Sequence, residues 1–109
     1  MATFVQSGDS IDYTPAADVS AGAVVVQGEL VGVAARAISA NTLGSLTVAG
    51  VFDFPKNTAT AMTAGAVVYW DATNQIAVLT SGGGTNKLIG KVVRAAAASD
   101  ATVRVRLSQ

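Results

Sequence analysis

The residue types that do chemistry are few in this sequence, and their spacing limits what they can do. Asp9 and Asp12 lie three positions apart, Asp53 sits between Phe52 and Phe54, and Asp71 follows Tyr69-Trp70. Two carboxylates facing one substrate can share acid and base work. Here the first two fall in a polar opening stretch, and nothing near Asp53 supplies a second catalytic group, so turn and capping roles are expected for all four. The chain has no Cys and no His. That removes thiol nucleophiles, disulfides, Ser-His-Asp triads, zinc sites of the Cys/His type and histidine acid–base catalysis together.

The run Ser81-Gly82-Gly83-Gly84-Thr85-Asn86-Lys87 has the glycines of a phosphate loop but not its pattern. A phosphate loop needs Gly directly before the Lys, a hydroxyl directly after it and a helix to follow. Lys87 is instead followed by Leu88 and opens a strand, so the run reads as a hairpin loop. No enzyme activity, cofactor or metal is expected.

Binding chemistry is the remaining class. Lys87, Lys91, Arg94, Arg104 and Arg106 crowd the last quarter, not far from Tyr69 and Trp70. Bases over aromatics are the components of a single-stranded nucleic-acid site. Against this, the chain has seven bases and seven acids, whereas nucleic-acid domains carry a basic excess. A single-stranded nucleic-acid-binding or recombination accessory protein therefore stands as the alternative, and nucleic acid as an unexpected partner. Tyr69 and Trp70 are adjacent and face opposite sides of a strand, which sends one inward and leaves the other for an interface.

The elements that must position these residues are strands. Ala23–Gln27 and Leu30–Ala34 flank a turn at Gly28-Glu29. Leu46–Val48 leads through Gly50 to Val51–Phe54, and Pro55 ends that run. Ala66–Trp70 and Gln75–Leu79 enclose Asp71-Ala72-Thr73-Asn74, good turn chemistry for a hairpin. Lys87–Val93 and Thr102–Leu107 complete the set. In the last strand Val103, Val105 and Leu107 share one face, and Thr102, Arg104 and Arg106 the other. Helical signals are weak: Thr58–Ala64 has room for one turn, and the alanines 95–98 are too short a run to stand alone.

The chain also repeats itself. Ser20-Ala21-Gly22-Ala23-Val24-Val25 returns 43 positions later as Thr63-Ala64-Gly65-Ala66-Val67-Val68, and Leu30-Val31-Gly32 returns 58 positions later as Leu88-Ile89-Gly90. The second copy holds an extra hairpin and loop between Trp70 and Gly84. The expected fold is mainly β: a small barrel or sandwich built from two similar β units. Residues 1–15 are set apart as an extended N-terminal arm anchored by Phe4, Val5, Ile11 and Tyr13, and residues 16–109 form a single β domain.

Charged residues make up 13% of the chain, about half the usual ~25%. With zero net charge, such a surface favours association, and the deficit points to surface that a neighbour covers. Asp9, Asp12, Asp18 and Glu29 precede every base, so acidic and basic ends can pair within one subunit or head-to-tail between subunits. No apolar run reaches the ~18 residues of a membrane span, and Met1–Asp9 has no cationic, apolar leader, so the expectation is a soluble protein with no membrane partner, made in the cytosol.

Taken in order, Phe4–Asp9, Gly50-Val51-Phe52-Asp53-Phe54-Pro55-Lys56, Ala64–Asp71, Leu88-Ile89-Gly90 and Asp100–Leu107 resemble a family of small tailed-phage proteins, the capsid cement or head decoration proteins. The resemblance covers nearly the whole chain. Ala23 and Ala66 depart from it where relatives carry a polar residue after the glycine. What the resemblance implies is a structural protein made in the host bacterial cytoplasm and placed on the outer surface of the virion. It would be a homotrimer that binds the major capsid protein and stabilises the expanded shell. On that reading Phe4, Val5, Ile11, Tyr13, Trp70, Arg104 and Arg106 are the candidate capsid or subunit contacts.

Overall fold

The structure is a computed structural model that describes residues 10–108. Nine strands run β1 (Ser10–Tyr13), β2 (Val24–Gln27), β3 (Leu30–Val33), β4 (Gly44–Thr47), β5 (Gly50–Pro55), β6 (Val67–Asp71), β7 (Ile76–Val78), β8 (Lys87–Arg94) and β9 (Thr102–Leu107). They form two antiparallel sheets, one in the order β1-β4-β3-β2 and one in the order β5-β9-β8-β6-β7. Among the described residues the only helical turn is a 3-10 turn at Gly82–Gly84, inside the glycine loop. Thr58–Ala64 makes no helical turn; Met62 bridges to Ala96 instead, and pairing satisfies both backbones where a short helix would leave them open.

The two sheets have the same plan. β1, β4, β3 and β2 correspond to β5, β9, β8 and β6, with β7 as the insertion. The repeated residues make repeated bonds. Gly22 N–H donates to Ala34 C=O at 2.6 Å, and Gly65 N–H donates to Val92 C=O at 2.7 Å. The bridge Val19–Ile38 has its counterpart in Met62–Ala96. Gly22 and Gly65 both lie in the left-handed region, at φ 84° and 87°, which explains why glycine recurs there. The mainly β, two-unit expectation therefore holds, and β1 is an element that residues 10–13 of the proposed arm contribute to the first sheet.

Of the barrel and sandwich alternatives, no barrel closes. The outer strands of the second sheet, β5 and β7, touch through one parallel bridge between Lys56 and Ala77. β7 is only three residues long, and its ladder runs to β6, with Tyr69 opposite Val78, Trp70 opposite Ala77 and Asp71 opposite Ile76.

The sheet curls round the main core. Phe54, Met62, Val68, Trp70, Ile89, Val92, Val103, Val105 and Leu107 are buried there, joined by Val33 from β3. The Phe54 and Trp70 rings lie 6.0 Å apart at centre, in a tilted pair. Each such side chain contributes about 1.5–3 kcal/mol by leaving water. A smaller core of Ala34, Ile38 and Leu46 lies in the first sheet, with Ile11, Tyr13 and Val25 packed on it. The strict alternation of β9 is realised: Val103, Val105 and Leu107 are buried, and Arg104 and Arg106 are exposed.

Glycine has a steric role at one equivalent pair of positions. A methyl group on Gly90 would land on the backbone carbonyl oxygen of Arg106, and one on Gly32 would meet Leu46 Cβ at 2.9 Å. The two lie 58 positions apart, so the repeated Leu-x-Gly is kept because the next strand crosses closely at that point in each sheet.

Candidate docking surface

Antiparallel pairing decides which side chains share the outer face of the second sheet. Val51 stands opposite Arg106, Arg106 opposite Lys91, and Lys91 opposite Val67, so one row crosses four strands. The next row is Asp53, Arg104 and Arg94, brought into line by a β-bulge in β8 between Val92 and Arg94. On the other side Leu88 stands opposite Tyr69, and Tyr69 opposite Val78. Val51, Val67, Leu88 and Val93 are all exposed on this sheet, Val51 at 54%. Four of the seven bases thus lie on one face, among exposed aliphatic side chains.

The rows differ in how their charges are met. Arg104 Nε donates to Asp53 Oδ1 at 3.1 Å, with Nη2 near Oδ2 at 3.4 Å. That hydrogen bond, and then the charge of Asp53, raise the Arg104 pKa above its ordinary value. Asp53, Arg94, Arg104 and Asp100 line one open groove, in which the Asp100 carboxylate accepts the Ala97 N–H at 2.9 Å. In the neighbouring row Lys91 and Arg106 face each other with no carboxylate bonded to either among the described residues. They flank an open groove of about 270 Å³ lined also by Val67, Leu88, Gly90 and Ser108.

The remaining charges are structural. Glu29, in the β2–β3 turn, accepts from Lys87 Nζ at 2.9 Å and ties one sheet to the other. This realises one pairing of the acidic end with the basic end inside a single subunit. Asp71 caps its own turn: its carboxylate accepts the N–H groups of Thr73 and Asn74 and the Asn74 side-chain amide. The Asn74 amide is the main reason that the Asp71 pKa is lowered. Lys56 is buried, and its Nζ donates to three backbone carbonyls, those of Asn57 at 2.7 Å, Asp100 at 2.8 Å and Ala98 at 3.1 Å. Among the described residues no group of three or more His, Cys, Asp or Glu could hold a metal ion. No helix among them is long and apolar enough to cross a membrane.

The candidate contact residues separate accordingly. Arg104 and Arg106 are on the outer face. Ile11 and Tyr13 are half-buried on β1 and pack against the smaller core of their own domain. Trp70 is a correction: only 2% of it is exposed, so it serves the core, and Tyr69 takes the outward position that the alternation required. Phe4 and Val5 lie outside the described residues. Sequence reasoning reaches Lys91 and Arg94 only as members of the C-terminal basic cluster, and Val51, Val67 and Leu88 escape it. The alternation of β9 points at Arg104 and Arg106 directly, but the partners on β8 follow only from the register and its bulge.

A family model described as phage cement protein matches residues 5–107. No curated protein and no solved structure matches the chain.

Proposed function

The chain belongs to the phage cement protein family, and from that premise we propose that it binds the outer surface of the major capsid protein lattice and stabilises the expanded shell. Membership makes it a structural, non-enzymatic protein of the virion capsid surface. The observation that carries the proposal is the extent of the match, nearly the whole chain. The fold supports it physically. Two curled sheets around a packed core present a preformed surface, so little conformational entropy is lost on docking. Assembly into a homotrimer would let modest affinity at each site hold the shell through linked contacts. In this reading Phe4 and Val5, ahead of β1, add a further contact with the capsid protein.

The test is co-sedimentation with expanded capsids prepared without the protein, followed by thermal rupture of the shells. The protein is expected to sediment with the capsids and to raise their rupture temperature. A protein that stays in the supernatant, or leaves the rupture temperature unchanged, refutes the proposal.

A further inference from the structure

We propose that the groove between Lys91 and Arg106 on the outer face of the second sheet is the docking site for an extended, acidic segment of the major capsid protein. Within that segment a carboxylate sits between the two cations, and apolar neighbours lie on Val67, Leu88 and Val51. The inference rests on the capsid-binding reading above and names the surface that performs it.

Three observations carry it. First, Lys91 and Arg106 are directly opposed across β8 and β9. Like charges in that relation destabilise a sheet. The comparable pair Arg94 and Arg104 has Asp53 bonded to Arg104, whereas Lys91 and Arg106 have no carboxylate bonded to them among the described residues. Among the described residues nothing offsets this like-charge contact, which an incoming carboxylate would relieve. Secondly, the groove is open, holds about 270 Å³, and is lined by Gly90, which brings no side chain into it because a Cβ there would meet the Arg106 carbonyl oxygen. Thirdly, its walls are aliphatic. Val67 and Leu88 line it, 41% and 38% exposed, and Val51 extends the same row on the far side of Arg106. Exposed aliphatics beside unmatched cations fit a peptide with acidic and apolar side chains. A nucleic-acid strand would be met by stacking aromatics, and Tyr69 is the only aromatic outward on this part of the sheet.

The test compares the wild type, a Lys91→Gln/Arg106→Gln double variant and an Arg36→Gln control, in binding to expanded capsids and in thermal denaturation. Removing the opposed cations relieves repulsion, so the melting temperature of the free double variant is expected to be unchanged or higher by about 1–5 °C. Its affinity for capsids is expected to fall on the order of 10- to 100-fold. Arg36→Gln should bind as the wild type does. A residue needed only for folding would lower both readouts together. Wild-type affinity in the double variant overturns the groove assignment while leaving capsid binding intact. A wild type that ignores capsids overturns the function and this partner with it. A wild type that prefers a single-stranded oligonucleotide, with that preference lost in the double variant, makes the groove a phosphate site and overturns the peptide reading.

Discussion

Lys56 is the buried charged side chain among the described residues, and replacing it with methionine isolates what its ammonium group does. The stem is kept, so packing changes little. What is lost is a set of hydrogen bonds to the carbonyls of Asn57, Ala98 and Asp100, of which the last two fasten the loop between β8 and β9 to the end of β5. Hydrogen bonds to a charged donor contribute about 1.5–3 kcal/mol each. Burying the ammonium costs several kcal/mol against that gain. The three acceptor residues are themselves exposed, so water replaces part of what the lysine supplied. The expected net loss for Lys56→Met is therefore about 2–4 kcal/mol, less than the gross sum. For a domain of this size that is a fall in melting temperature of about 10–25 °C. Trp70 is the single tryptophan and is buried against Phe54, so its fluorescence reports the unfolding of the same core. The check is urea and thermal denaturation followed at Trp70, with circular dichroism in parallel. A fall of less than about 3 °C would refute the reasoning, because it would mean that water serves the three carbonyls as well as Lys56 does.

Two further outcomes follow from other residues. Gly90→Ala places a methyl group on a backbone carbonyl and should cost about 3 kcal/mol or more, read as low soluble yield and an early denaturation midpoint; Gly32→Ala meets a side chain and should cost about 1–3 kcal/mol in the same assay. Asp71 has a lowered pKa in the folded state, so its stabilising effect on the β6–β7 turn is present above the ordinary aspartate pKa and is lost as the pH falls through the lower folded value. The protection of the Thr73 and Asn74 amides, measured against their intrinsic exchange rates at each pH, should fall across that acidic window, and Asp71→Asn should flatten the pH dependence.

The strands with two-residue alternation or long β-branched runs are legible in the sequence, because one face of each must be apolar to meet a core. β9 is the clearest case, and its alternation alone is enough to place Arg104 and Arg106 outward. The repeat is legible for a different reason: Gly22 and Gly65 need positive φ, Gly32 and Gly90 need the absence of a side chain, and both demands leave the same letters in both copies. β1 does not separate from the arm by pattern, because Ser10 and Asp12 dilute it and it has only four residues. A signal is nonetheless present, since Ile11 lies 43 positions before Phe54, the same offset as between Gly22 and Gly65. Trp70 shows the limit of alternation, which requires Tyr69 and Trp70 to diverge but does not decide which of them points inward.

What stays hidden depends on contacts between distant segments. Nothing next to Lys56 in the sequence announces that carbonyls more than 40 positions away will surround its head group. The same holds for the opposed cations. In a sequence, Lys91 and Arg106 are two bases among seven. Only the β8–β9 register sets them face to face, and only the distribution of carboxylates separates them from Arg94 and Arg104. A two-unit fold makes this contrast informative. Glu29 and Lys87, related by the same 58-position offset as Gly32 and Gly90, carry opposite charges and bind each other across the sheets. Among the described residues the bases Lys87 and Arg104 each meet a carboxylate, which makes a like-charged pair facing solvent beside exposed aliphatics the feature that the internal architecture explains least and an external acidic partner explains best.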